Sequence, residues 1–246
     1  MTPVLLLIPG MLGDGEVWSD VANALASRAE VRVAEVAAPT SITAMAHGAW
    51  EALANVADDR PLFIAGFSLG GYVAIDMLCR SRRRVRGGAL LSTSARPETP
   101  ESAAMRAKSI DAFRTDFPKA VERIIQWGTE QPDAALIERL RQMMLRIGAD
   151  AAIRQTEAIM GRADHRAALA RLALPIRVLC GADDRVTPPA LSQELAALIP
   201  GAQLQCIDGV GHMLPCEQPH AVAQALGTLI GQPDDLSYTP NNGDKS

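Results

Sequence analysis

Leu62-Phe63-Ile64-Ala65-Gly66-Phe67-Ser68-Leu69-Gly70 joins a short apolar run to a segment with helical patterning, and a single serine stands at the junction. The run Leu62 to Gly66 is short enough for a strand and apolar throughout, as expected of a strand covered on both faces. Gly66-Phe67-Ser68-Leu69-Gly70 has the G-x-S-x-G pattern. Glycines at these two positions suit a sharp strand-to-helix turn in which the chain passes close to itself, leaving Ser68 exposed at the strand's carboxyl edge.

Outward from this turn, similar runs recur at Val4 to Ile8, Val31 to Val36, Gly88 to Ser92, Ile176 to Cys180 and Leu204 to Ile207. Helical spacing lies between them. Ile42, Met45, Ala46, Ala49, Leu53 and Val56 repeat along one face after the candidate cap Ser41, and Leu191, Leu195 and Leu198 do so after Thr187 and two prolines. This alternation predicts an α/β fold with a doubly wound, mostly parallel sheet of about six strands. The alternation breaks once, between roughly Pro97 and Pro175, where Leu136, Ile137, Leu140, Met143, Met144 and Ile147 mark a helix after the candidate N-cap Asp133. This stretch reads as a helical insertion over one end of the sheet. Residues 232–246, rich in Asp, Asn, Pro and Gly, read as a solvated tail.

A serine hydroxyl is a weak nucleophile at neutral pH and needs an adjacent base. The chain holds four histidines. His47 falls within a helical pattern, His165 in the insertion and His220 at the start of the last helix; each reads as a structural or solvent-facing residue. His212 follows the last strand on the glycine-rich stretch Gly209-Val210-Gly211, which can aim an imidazole at the sheet edge where Ser68 emerges. The imidazole in turn needs a carboxylate to fix its tautomer. Asp183 and Asp184, after the preceding strand, are both candidates on these grounds.

These motifs, in the order Ser, Asp, His, resemble the α/β-hydrolases of the compact esterase, pimeloyl-carrier methylesterase and menaquinone-pathway type, over about the first 230 residues. The resemblance implies that the acid stands in a G-x-x-D-x-x-x-P stretch, here Gly181 to Pro188, which selects Asp184 and leaves Asp183 to turn hydrogen bonds. Gly211-His212 with the downstream Glu217-Gln218-Pro219 is similar to the family's histidine region. Many relatives open their oxyanion loop with His-Gly, whereas this chain has Pro9-Gly10-Met11. The backbone N–H of Met11, paired with that of Leu69, is the implied oxyanion donor set. The resemblance further implies a sheet lacking the family's first two strands, a core of residues 1–96 and 173–231, and a helical cap over 97–172.

The expected activity is cleavage of a carboxylic ester through an acyl-enzyme, with no cofactor or metal. Leu12, Phe67, Trp127, Met143 and Met144 are candidates for an apolar acyl pocket, or are simply core. Arg106, Arg114, Arg139, Arg141, Arg146, Arg154 and Arg162 of the insertion are read as solvated. A lyase using Ser68 and His212 as a base pair, a carbon-carbon bond hydrolase, and a non-catalytic ligand receptor or stress-regulator partner on the same pocket are alternative uses of the same residues.

Composition narrows the partners. A net charge of −4, with 48% hydrophobic and 21% charged residues, matches a folded globular chain and provides no attraction to nucleic acid or anionic membrane. A small-molecule substrate is expected, and the oligomeric state is left open. The run Arg80, Arg82, Arg83, Arg84 and Arg86 is read as cations at a helix C-terminus. Cys79, Cys180, Cys206 and Cys216 lack metal-ligand spacing and read as free buried thiols, implying a reducing cytoplasm. The N-terminal apolar run lacks a basic flank and soon meets Pro9, so it reads as a strand and not a signal peptide or span.

Overall fold

Six strands, β1 (Val4–Ile8), β2 (Glu30–Val33), β3 (Leu62–Phe67), β4 (Gly87–Leu91), β5 (Ile176–Gly181) and β6 (Gln203–Ile207), form one sheet in a computed structural model describing residues 1–81 and 83–231. The order is β2-β1-β3-β4-β5-β6, and every neighbouring pair is parallel. This is the expected doubly wound α/β sheet. The tail read at 232–246, and Arg82, lie outside the described residues.

Apolar strands have two buried faces to fill, and β1 shows how they are filled. Val4, Leu6 and Ile8 enter one cluster with residues of α2 (Ile42–Glu51), α3 (Leu69–Cys79) and α9 (Pro189–Leu198). Leu5 and Leu7 enter the other, with α1 (Ser19–Leu25) and α11 (Pro219–Ile230). All five are fully buried. The two edge strands depart from this pattern. In β6, Gln203 to Cys206 are exposed because no strand flanks them, so Cys206 is not the buried thiol expected and Cys79 is only partly covered. β2 ends at Val33, three residues short of the expected Val36, whose carbonyl instead accepts from the Gln155 side chain at 3.1 Å.

Ser41 caps α2 as expected, its hydroxyl accepting from the Ala44 N–H at 3.1 Å. The helix stops at Glu51 because the backbone tightens: Leu53 N–H bonds to the Trp50 carbonyl in an i to i+3 turn at 3.0 Å. Leu53 and Val56 stay buried beyond its end. The Arg83 guanidinium donates to the carbonyls of Val56 (2.9 Å) and Ala57, so it serves these turns and not the end of α3. Thr187 does not cap α9; its hydroxyl is taken by Asp184.

Between β4 and β5 the described chain forms only helices: α4 (Pro100–Thr115), α5 (Phe117–Gly128), α6 (Ala134–Ile147), α7 (Ala149–Met160) and α8 (Arg166–Leu169). Asp133 caps α6, accepting from the Leu136 N–H at 2.7 Å. The arginines here are ion-paired, not merely solvated. Arg139 meets Asp20 (2.7 Å), Arg146 meets Asp14 (2.8 Å) and Glu16 (2.7 Å), Arg141 meets Glu122 (2.5 Å), Arg106 and Arg162 share Glu98, and Arg114 meets Asp111 (3.8 Å). Arg154 donates to the Ala37 carbonyl at 3.3 Å. The acidic partners come from the segment after β1 and from the insertion itself, a pairing that spacing along the chain does not reveal.

The turn at Ser68 depends on contacts that exclude any side chain at its glycines. A Cβ on Gly66 would lie 2.1 Å from the Gly70 carbonyl oxygen, and one on Gly70 would lie 2.2 Å from that of Ile8. Gly66→Ala and Gly70→Ala are expected to lose several kcal/mol or not to fold, because backbone has to move in each (about 1–3 kcal/mol for modest overpacking, more here). Gly48→Ala, in helix α2 with nothing near its Cβ position, is expected to gain about 0.5–1 kcal/mol. Denaturant unfolding of the three variants tests this; a Gly66→Ala protein as stable as wild type would contradict it.

Candidate active site

At the end of β3, Ser68 has φ 53° and ψ −115°, a conformation an L-residue adopts only under constraint. Its N–H donates to the Leu91 carbonyl at 2.9 Å, and its carbonyl accepts from the Gly71 N–H and the Thr93 hydroxyl, both at 2.9 Å. The residue is thus tied to β4 and to the first turn of α3, which fixes where its hydroxyl points.

The loops after β5 and β6 bring the other groups to the same edge. His212 Nε2 lies 2.9 Å from Ser68 Oγ, and His212 Nδ1 lies 2.9 Å from Asp184 Oδ2 and 3.1 Å from Oδ1. Asp184 and His212 are buried, whereas Asp183 is exposed and its N–H bonds to the Val210 carbonyl at 3.0 Å. Geometry therefore separates the two neighbouring acids. Burial pushes the Asp184 carboxyl up, but His212 beside it and the donors of Thr187 outweigh that, and it sits below the usual carboxylate value. With Asp184 ionised, the His212 Nδ1–H donates to it and Nε2 is left to accept from the serine hydroxyl.

The other histidines stand elsewhere. His47 and His220 are exposed, and His165 Nε2 is 3.0 Å from Asp76 Oδ1. Leu69 opens α3, where the first backbone N–H groups have no partner within the helix. Met11 lies in the loop after β1, next to the elbow: a Cβ on Gly10 would be 3.3 Å from Ser68 Cβ. Phe67 packs on the His212 ring (centroids 5.2 Å apart), and Leu12, Phe67, Met143 and Met144 belong to one buried apolar cluster. Trp127 is not part of it. Its ring is 57% exposed with the Arg185 guanidinium 5.5 Å above it, so any role it has is at the rim.

Three residues complete the site through bonds that the sequence does not assign. The Thr187 hydroxyl donates to Asp184 Oδ2 at 2.8 Å, while the amides of Val186 (2.9 Å) and Thr187 (2.8 Å) donate to Oδ1. Glu217 Oε2 accepts from the Gly211 N–H (3.2 Å) and the Glu130 N–H (2.8 Å), tying the His212 loop to the insertion. Burial pushes its carboxyl up, opposed by those amides. Gln155, fully buried on α7, accepts from the Leu12 N–H at 2.9 Å. Glu217 and Gln155 reach backbone far away in sequence, at Glu130 and Leu12, for which composition and periodicity carry no signal. The Thr187 contact to Asp184 is local, and the G-x-x-D-x-x-x-P and Glu-x-Pro matches took in Thr187 and Glu217 without assigning these bonds. Among the described residues, no group of three or more His, Cys, Asp or Glu side chains is placed to hold a metal ion.

The sequence profile of the alpha/beta hydrolase family matches residues 5–225. The chain belongs to that family. It is 32% identical over 162 residues to the pimeloyl-[acyl-carrier protein] methyl ester esterase of Neisseria meningitidis, a match covering 63% of this chain and 52% of the relative. Matches to the first such relatives thus span only about half to three fifths of their length. The esterase of the same description from Aromatoleum aromaticum is 29% identical, with 93% of this chain and 98% of the relative covered. A thermophilic esterase from Thermogutta terrifontis, solved with malate bound, superposes with a TM-score of 0.81 at 27% identity, covering 91% of this chain and 88% of that one. No described helix is long and apolar enough to cross a membrane.

The lowered Asp184 carboxyl links stability to pH. A group ionised more readily in the folded state contributes stability above its unfolded value, and loses it as pH falls through the lower folded value. The stability difference between wild type and Asp184→Asn is therefore expected to narrow as pH drops below about 3.8, the ordinary Asp value. Denaturant titrations from pH 6 to pH 3 measure it; a difference that stays constant would show that Asp184 is not ionised preferentially in the fold.

Proposed function

We propose that this alpha/beta hydrolase cleaves a carboxylic ester through an acyl-enzyme on Ser68. The observation that carries the reading is the His212 ring, within hydrogen-bond distance of Ser68 Oγ on one nitrogen and of Asp184 on the other. His212 Nε2 takes the Ser68 proton as Oγ attacks the ester carbonyl, and returns it to the departing alcohol oxygen. Water, deprotonated by the same nitrogen, then attacks the acyl carbon and releases the acid and Ser68. Asp184 holds the imidazole in the working tautomer and offsets the imidazolium charge. The backbone N–H groups of Met11 and Leu69 receive the negative charge that develops on the carbonyl oxygen.

In this reading, residues 97–172 act as a cap that selects the acyl group. Leu12, Phe67, Met143 and Met144 supply an apolar wall, and Trp127 with Arg185 stands at its mouth. A small, uncharged acyl group suits such a wall. The esterases to which the chain is similar support ester hydrolysis; the methyl ester of an acyl chain, named for two of them, is the first substrate to try.

Intact-mass labelling with a fluorophosphonate, followed by peptide mapping and by turnover of short acyl esters, tests the proposal. A single adduct on Ser68 is expected, with loss of at least about 10³-fold in kcat in Ser68→Ala and His212→Ala (removing either member of such a pair can cost up to about 10⁶-fold). Unchanged turnover in purified Ser68→Ala would remove the serine from the mechanism.

A further inference from the structure

The loop after β1 forms a tight turn, Gly10-Met11-Leu12-Gly13, closed by a 3.1 Å bond from the Gly13 N–H to the Gly10 carbonyl. Leu12, its third residue, has φ 58°, and Met11 is not among the residues of positive φ. This is the pattern of a type II turn, which favours glycine at the third position. A leucine there is strained and persists only where its surroundings hold it.

Gln155 is what holds it. A type II turn rotates the peptide between its two central residues so that the N–H of the third points away from the turn. Here the Leu12 N–H meets Gln155 Oε1 at 2.9 Å, deep in the protein. The other end of the same amide donates to the Val36 carbonyl at 3.1 Å, so both ends of a completely buried side chain are satisfied at once. The next residue, Thr156, places its hydroxyl 3.5 Å from the Met11 sulfur. Helix α7 of the insertion thus grips both central residues of the turn.

We propose that Gln155 is a positioning residue for the oxyanion pocket. It anchors the turn that carries the Met11 N–H next to Ser68, and so makes the insertion part of the catalytic apparatus as well as its cover. The inference rests on the esterase reading given above. Without an acceptor at Gln155 the Leu12 N–H is buried and unpaired, and the strained turn loses the contact that holds it in place. Turn type by itself leaves φ of Met11 unchanged; the Met11 N–H shifts because the loop that carries it is no longer held against α7. A displacement of about 1 Å at such a donor lowers the rate by roughly 10²-fold. Phe67, Met143 and Met144 of the apolar wall lie outside the turn, so kcat falls more than KM rises.

The test compares wild type, Gln155→Met and Ser68→Ala on a p-nitrophenyl acyl ester, and measures inhibition by a trifluoromethyl ketone of the same acyl length. The ketone forms a tetrahedral adduct whose oxygen needs the same donors. Gln155→Met is expected to lose about 10- to 100-fold in kcat with KM within about threefold, and to lose ketone affinity by the same factor as kcat. Should Gln155→Met not fold, Gln155→Asn carries the comparison, since its shorter amide cannot reach both Leu12 and Val36. A folded variant with kcat within twofold of wild type, or one whose defect lies in KM with ketone affinity unchanged, overturns the role of Gln155 and leaves the esterase reading standing. If wild type and Ser68→Ala turn over alike, the esterase reading falls, and this inference with it.

Discussion

Strand β3 has to become helix α3 within a single residue, and the rest of the site is arranged around that constraint. Ser68 adopts φ 53° because the strand and the helix on either side of it are already committed, Gly66 packing against Gly70 and Gly70 against the Ile8 carbonyl. The conformation is costly by itself, on the order of 1–3 kcal/mol. It is retained because the bonds to Leu91, Gly71 and Thr93 over-determine it. The same close approach brings the end of β1 against the start of α3, so the loop carrying Met11 and the first amides of α3 share one small region. In an all-parallel sheet the carboxyl ends of β5 and β6 open on that edge too, which is why residues as distant in sequence as Ser68, Asp184 and His212 meet there.

Two kinds of interaction join the insertion to the core, and magnitudes separate them. At the surface, Arg139 and Arg146 reach Asp20, Asp14 and Glu16, pairs worth about 0–1 kcal/mol each and weakened by salt. In the interior, Gln155 bonds to Leu12 and Val36, and the largely buried Glu217 bonds to Gly211 and Glu130. Leaving such buried donors without an acceptor costs about 1–3 kcal/mol apiece, so these polar contacts, few as they are, define the register of insertion on core more sharply than the surface arginines do. Both reach loops that end at the site, one beside Met11 and one beside His212.

The parts of this arrangement legible in the sequence are those that repeat locally. Apolar runs of strand length announced all six strands, and the glycines around Ser68 announced the turn, because each obeys a rule spanning a few residues. Edges were read less well: β2 and β6 have the composition of covered strands yet lack a neighbour on one side, and Cys206 is exposed as a result. Thr187 precedes two prolines and a helical pattern, yet its hydroxyl goes to Asp184, three residues away, and not to the amides of α9. The bonds of Gln155, Arg139, Arg146 and Arg162 were illegible because their partners lie far away along the chain, and a pairing of that range leaves no periodic trace.

The distribution of charge over the insertion also bears on what the site accommodates. Seven of its arginines, Arg106, Arg114, Arg139, Arg141, Arg146, Arg162 and Arg166, are paired with carboxylates of the protein, and Arg154 with a backbone carbonyl. In the proposed esterase, an acyl group carrying its own carboxylate would compete with those partners for any of these arginines, and would still have to shed water beside the apolar cluster of Leu12, Phe67, Met143 and Met144. A neutral chain meets neither cost. It gains about 0.8 kcal/mol for each methylene removed from water, so selectivity on this wall is expected to follow length and shape more than charge. Charge is instead concentrated at the rim, where Arg185 lies between Glu130 and the exposed Trp127 ring. In the proposed esterase, a polar head on the substrate would meet Arg185 and Trp127 and not the apolar wall.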